Sequence, residues 1–249
     1  MPTGRSRRVP PAPRGRPARP DRLDPVAHSR PEADRLPGWV AEEIRTTARP
    51  GASDRARRAF EQALAAIDRG DVAAGIEKAQ EAKALAPRSG AVREVLGIAL
   101  YRAERFRQAL RELQAYRRMT GRVDQNHLIA DSFRALGSPE KAVDAAMEAL
   151  RAQIPDEARV ESAVVGASAL ADLGRFTQAL AVLRSIPTDE QLARPFHLRL
   201  WYVAGDVLDR AGRPQEAAAE FRKITRHDPG AFDAADRLAR LEEAPGGGR

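Results

Sequence analysis

Residues 198–231 read LRLWYVAGDVLDRAGRPQEAAAEFRKITRHDPGA. Counted from Leu198, the segment puts Trp201 at position 4, Gly205 at 8, Leu208 at 11, Gly212 at 15, Ala217 at 20, Phe221 at 24 and Pro229 at 32. Each has a task in a pair of antiparallel helices. Trp201 and Leu208 fall on one face of a first helix. Gly205 and Ala217 are small where the two helices cross, so their backbones can approach closely. Gly212 supplies the turn between the helices, where an open or left-handed conformation costs glycine little. Pro229 stops the second helix, because it lacks the N–H that would continue it.

The same spacing recurs upstream. Residues 123–154 give Ile129 and Ala130 at positions 7 and 8, Phe133 at 11, Gly137 at 15, Ala142 at 20 and Ala149 at 27. Residues 90–122 give Leu96 and Gly97 at 7 and 8, Leu100 at 11, Ala109 at 20 and Leu113 at 24. Residues 160–187 keep Ala167 at 8, Leu170 at 11, Gly174 at 15, Ala179 at 20 and Leu183 at 24. Residues 56–89 keep Gly70 at 15, Ala82 at 27, Leu85 at 30 and Pro87 at 32, with Gly75 where alanine is expected. Five in-phase occurrences form an internal repeat. The pattern resembles the tetratricopeptide repeat family. That resemblance implies a right-handed, all-α solenoid of about five helical hairpins in which each unit packs only on its neighbours. The stretch AVREVLGIALYRAERFRQALRELQAYRRMTG (91–121) also resembles a group of actinobacterial tetratricopeptide-repeat proteins, which implies a cytoplasmic protein and no particular activity.

Composition agrees with this reading and narrows the chemistry. Apolar residues recur at helical spacing, and strand formers are nowhere concentrated. The chain has no cysteine, which excludes disulfides and thiolate catalysis. No apolar run approaches the ~18 residues of a membrane span. Positive charge at the N-terminus is not followed by the apolar run of a signal peptide. The net charge of +7 is uneven. Residues 1–37 hold nine arginines and four acids, whereas the remainder holds 33 basic and 31 acidic residues.

Residues 1–37 have almost no large apolar side chain, so they are expected to be a disordered, Pro/Arg-rich tail. Residues 38–52 are expected to form a capping helix and linker, with Trp39, Val40 and Ile44 on one face. The solenoid is expected over 53–242, with Ser53 as an N-cap, a closing helix over 231–242 and a frayed end over 243–249. Pro155 is expected in the first turn of the helix that opens the fourth repeat, and Pro195 at the start of the fifth.

No recognisable catalytic chemistry is present. There is no Gly-Lys pair, hence no phosphate-binding loop, and no G-x-G-x-x-G follows a strand. Gly166-Ala-Ser-Ala-Leu170 has half of a nucleophile elbow but falls mid-helix. His28, His127, His197 and His227 have no second ligand at helical spacing, so no metal site and no cofactor is expected.

The expected function is therefore a non-catalytic interaction scaffold that binds a peptide or helix in the concave groove of the solenoid. The resemblance puts groove residues at positions 2, 5, 9, 12 and 13 of each repeat. That assigns Glu94, Tyr101 and Arg102, then His127, Asp131 and Arg134, then Glu161, Ser168 and Asp172, and finally Tyr202, Asp206, Asp209 and Arg210. Tyr101 and Tyr202 are the expected anchors, since aromatic rings supply contact area at low entropy cost. The first repeat has Phe60 and Leu64 at groove positions, so the Lys/Asn/Arg clamp that some family members use on a C-terminal carboxylate is missing. An alternative is a nucleic-acid- or ribosome-associated protein that uses the arginine tail and a basic patch of Arg107, Arg111, Arg117 and Arg118.

Overall fold

The computed structural model describes residues 36–243. Twelve α-helices and no strand are found among the described residues. A short helix α1 (Gly38–Thr47) precedes five hairpins. These are α2 (Ser53–Asp68) with α3 (Val72–Leu85), α4 (Gly90–Arg102) with α5 (Phe106–Thr120), α6 (Asn126–Ala135) with α7 (Pro139–Leu150), α8 (Asp156–Asp172) with α9 (Phe176–Arg184), and α10 (Pro195–Arg210) with α11 (Pro214–His227). Helix α12 (Ala234–Glu243) closes the array, and a 3-10 turn at Glu190–Leu192 lies between α9 and α10. The expected tail lies outside the described residues apart from Leu36 and Pro37, as does the expected frayed end apart from Glu243.

The hairpins follow from the small residues at their crossings. A Cβ added to Gly205 on α10 would lie 2.8 Å from Cζ of Phe221 on α11. One added to Gly97 on α4 would meet Leu113 Cδ2 of α5 at 2.6 Å. Gly75, at the position where the repeat has alanine, is the same device in reverse: its missing Cβ makes room for Ile67 Cγ1 of α2 at 2.6 Å. Gly166, in the half-elbow sequence, sits within α8 with Ala146 Cβ of α7 against it at 2.9 Å, so it serves packing.

The caps locate the helix ends. Asp71 accepts from the Ala74 N–H to open α3, and Ser89 accepts from the Val92 N–H to open α4. Glu43 on α1 accepts from Ser89 Oγ at 2.8 Å and from the Ala91 N–H at 3.1 Å, so the leading helix is tied to the second hairpin as well as packed on the first. Three expectations need correction. Trp39 is 58% exposed, and only Val40 and Ile44 face inward, because Trp39 stands one residue off the buried stripe. Ser53 is already helical and Ala52 holds the cap position without a side-chain hydrogen bond. Pro155 is the cap residue of α8, with Asp156 and Glu157 in the first turn.

Glu112 on α5 joins three elements. It is buried, and its two oxygens accept from Lys83 of α3 and Arg93 of α4, both at 2.6 Å. Burial works to raise its pKa, but those two hydrogen bonds outweigh burial and hold the carboxyl below its usual range.

The turns show one exception to the glycine rule. Gly70, Gly137, Gly174 and Gly212 all have φ between 72° and 79° at the turn within their hairpins. In the second hairpin Glu104 takes that place at φ 56°. A side chain there costs about 1–2 kcal/mol. Gly212→Ala is accordingly expected to destabilise the fold by about 1 kcal/mol, and Glu104→Gly to stabilise it by about 0.5 kcal/mol. Urea unfolding followed by far-UV circular dichroism checks both, and midpoints that move in the opposite directions would refute the assignment of strain.

Candidate functional site

Helices α6, α8 and α10 pack closely one on the next, and α4 touches α2 and α6 more lightly, whereas among the described residues the second helices of neighbouring hairpins make no comparable contact. An array held tightly on one side and splayed on the other curves, so these first helices line its inner face. The expected groove residues lie on them, and most are drawn into one polar ladder.

The ladder crosses every hairpin boundary from α2 to α12. On α4, Arg102 donates to the Ile67 carbonyl of α2 at 3.4 Å. Also on α4, Tyr101 donates its hydroxyl proton to Asp131 Oδ2 on α6 at 2.5 Å. Arg134 of α6 bonds Asp172 of α8 at 2.5 Å and lies 3.7 Å from Asp131. Arg210 of α10 reaches back to the Ala171 carbonyl at 2.8 Å and to Asp172 at 3.4 Å. Arg237 of α12 completes the run, donating to Asp206 at 2.7 Å and Asp209 at 3.0 Å. Its guanidinium also stands 4.8 Å from the Phe221 ring centroid. Burial opposes the Arg237 charge, but Tyr202 and Asp206 outweigh it and keep the group protonated. Arg237 has no place in the repeat pattern, which is why sequence spacing missed it.

Tyr101 and Tyr202 are not exposed anchors. They are 4% and 5% exposed, and their rings pack edge-on against Phe106 and Phe221. Tyr202 donates to Asp233 at 2.7 Å, and burial, ahead of that bond, pushes its pKa up to about 12. In both cases the ring packs on the second helix of its own hairpin, and the hydroxyl is bound beyond it, by Asp131 and by Asp233. His127 is also buried, with Nδ1 2.9 Å from the Asp124 carbonyl. Glu94 accepts from Gln125 at 2.8 Å, and Ser168 is buried in α8. The accessible part of the ladder is therefore Asp172, Asp206, Asp209 and Arg210.

A second buried pair sits among these helices. Glu161 on α8 is 3% exposed, and neither of its oxygens has a hydrogen-bond donor. Arg199 of α10 approaches to 3.4 Å without forming a hydrogen bond. Burial pushes the Glu161 carboxyl up to about 7 against the pull of Arg199, and the negative charges of Glu157 and Asp131 add to the rise.

The basic patch lies elsewhere, on α5. Arg107, Arg111 and Arg118 are exposed, and no carboxylate pairs with them among the described residues. Arg117 is bound at 2.6 Å to Glu148 of α7. No group of acidic and histidine side chains among the described residues could hold a metal ion, and no helix there is long and apolar enough to cross a membrane.

Residues 164–232, which span most of α8 through α11, match the tetratricopeptide repeat family. The fold is a tetratricopeptide-repeat solenoid. Among solved structures, the array is similar to TTC0263, a thermophilic tetratricopeptide-repeat protein of Thermus thermophilus. That match has 15% identity and a TM-score of 0.57, over 75% of this chain and 98% of that one. It is similar also to YrrB, described as a tetratricopeptide-repeat protein with an unusual peptide-binding site, at 16% identity and TM-score 0.53 over 72% and 89%. MamA matches at 14% identity and TM-score 0.55 over 76% and 97%. No curated protein matches the chain.

Glu161 gives the tetratricopeptide array a signed dependence on pH. Its folded pKa is raised, so the folded state holds more protons than the unfolded one between about 4.5 and about 7. Stability is expected to fall as pH rises through that window, by about 3 kcal/mol. Thermal melts across the range test this. The slope should flatten in Glu161→Gln, and an unchanged slope would remove Glu161 as its source.

Proposed function

We propose that the chain is a non-catalytic scaffold that binds a protein partner by a peptide or helix laid along the inner face of the solenoid. The observation that carries this reading is the polar ladder. Successive first helices present alternating carboxylates and guanidinium groups along one curved surface, and the described ladder stays accessible at Asp172, Asp206, Asp209 and Arg210. Such a surface offers donors and acceptors in register for an extended backbone, and tetratricopeptide relatives include one described as having a peptide-binding site. Arg210 is well suited to contact a ligand. Its side chain is 37% exposed, and its two bonds to Asp172 are long enough to be exchanged for a ligand carboxylate.

The exposed arginines of α5 support a second reading, in which nucleic-acid phosphates dock on the outer face. It is separable by salt. Phosphate contacts from Arg107, Arg111 and Arg118 would weaken steeply with ionic strength, and an inner-face peptide bound by backbone hydrogen bonds would not.

Selection of a displayed random-peptide library against the full chain tests the first reading. Enriched peptides are expected to bind with micromolar affinity and to lose about tenfold on Arg210→Glu. Asp172→Asn should alter the same peptides, while Arg111→Glu should not. Enriched peptides that are insensitive to the first two substitutions, or no enrichment at all, would count against the inner face as the working surface.

A further inference from the structure

At the α12 end of the ladder an aromatic ring is left in solvent. Phe232 lies in the turn between α11 and α12 and is 42% exposed. Its backbone is held at φ 57°, a left-handed conformation that bulky side chains rarely take. The ring rests on that of Tyr202, with centroids 5.1 Å apart. Tyr202 is buried, so Phe232 forms part of its cover and is the outer ring of the pair.

The carboxylate that follows is open as well. Asp233 is exposed, and among the described residues its side chain accepts one hydrogen bond, from the neutral Tyr202 hydroxyl at 2.7 Å. Arg237 stands 3.3 Å from the same hydroxyl, but its guanidinium is shared between Asp206 at 2.7 Å and Asp209 at 3.0 Å. Arg210 lies 3.7 Å from Asp206 and is divided with Asp172 at 3.4 Å. An exposed ring beside an exposed carboxylate suits a cationic side chain. The ring face attracts the charge, the apolar stem covers the ring, and the carboxylate pairs with the charged head. An acidic side chain would be repelled there, and a neutral apolar one would leave Asp233 without a partner.

The subsite is within reach of the accessible ladder. Tyr202 and Arg210 are eight residues apart on α10, about 12 Å along its axis. An extended peptide covers that distance in about four residues.

We propose that Phe232 and Asp233 form a subsite for an arginine or lysine side chain of the partner, about four residues from the peptide carboxylate that Arg210 receives. This deepens the inner-face reading and rests on it. It names the partner segment as one that carries an acidic and a basic residue at that spacing. The aromatic contact that sequence spacing assigned to Tyr202 is supplied one layer out, by Phe232.

The test begins with a displayed library of random peptides selected on the full chain. Enriched peptides are expected to carry Arg or Lys about four positions from Asp or Glu. The tightest is resynthesised with norleucine in place of that basic residue. Both forms are titrated by fluorescence anisotropy into the unaltered chain, Phe232→Leu, Phe232→Gly and Asp233→Asn. Norleucine is expected to weaken binding to the unaltered chain about tenfold, and to each altered chain about threefold or less, because part of what held the charge is gone. Phe232→Leu keeps an apolar cover on Tyr202 and serves as the probe should Phe232→Gly disturb the fold. Enriched peptides with no basic residue at that spacing, or a norleucine penalty equal in all four chains, overturn the subsite. The inner-face reading then still stands if the same peptides respond to Arg210→Glu and Asp172→Asn. Absence of any enriched peptide removes both.

Discussion

The structure depends on how closely two helices approach at one point in each hairpin. Gly205 lets α10 come against the Phe221 ring, Gly97 lets α4 come against Leu113, and Gly75 leaves room for Ile67. Interiors are packed to near-crystalline density, so a single Cβ at such a contact must push a helix outward or distort a neighbour. With the approach set, the angle of each hairpin follows, and with it the way the next hairpin stacks. The curvature of the whole array is the sum of these local crossings.

That curvature has an electrostatic consequence. First helices are drawn together on the inner side, so polar groups carried there are partly removed from water and must satisfy one another. The ladder from Arg102 to Arg237 does this from hairpin to hairpin, and each link crosses an interface between repeats. Glu112 performs the same service deeper in the array, where Lys83 and Arg93 together outweigh the cost of burying its charge. At Glu161 the exchange is incomplete. One guanidinium approaches without a hydrogen bond, and the carboxyl responds by holding its proton to about neutral pH.

The ends of a solenoid raise a separate problem, because a terminal hairpin has an apolar side with no neighbour. The two ends solve it differently. At the start, α1 buries Val40 and Ile44 and uses Glu43 to cap α4, leaving Trp39 in solvent. At the finish, α12 turns Ala234, Leu238 and Leu241 inward and locks itself with Arg237, held between two aspartates and above an aromatic ring. The second lock draws on charge and the first mainly on apolar contact.

The repeat, the hairpin count and the all-α class were readable in the chain because they depend on residue size at fixed spacing. A glycine at a turn or a crossing acts through its own backbone and its immediate partner, so position alone reveals it. Spacing also places Glu94, Asp131, Arg134, Asp206 and Arg210 on the first helices of their hairpins, where the structure has them. What spacing could not supply was the environment of those residues. Tyr101 and Tyr202 occupy the expected positions, yet they are buried, because exposure depends on how far the neighbouring hairpin leans in. Arg199 and Arg237 entered no pattern, because their roles come from partners on other helices, Glu161 in one case and Asp206 with Asp209 in the other. Sequence alone determined which helices form and which faces they turn to one another, since both are set within a few residues. Tertiary structure alone decided which charges are buried and which remain to meet a ligand, since burial and pairing are set by residues up to 48 positions apart.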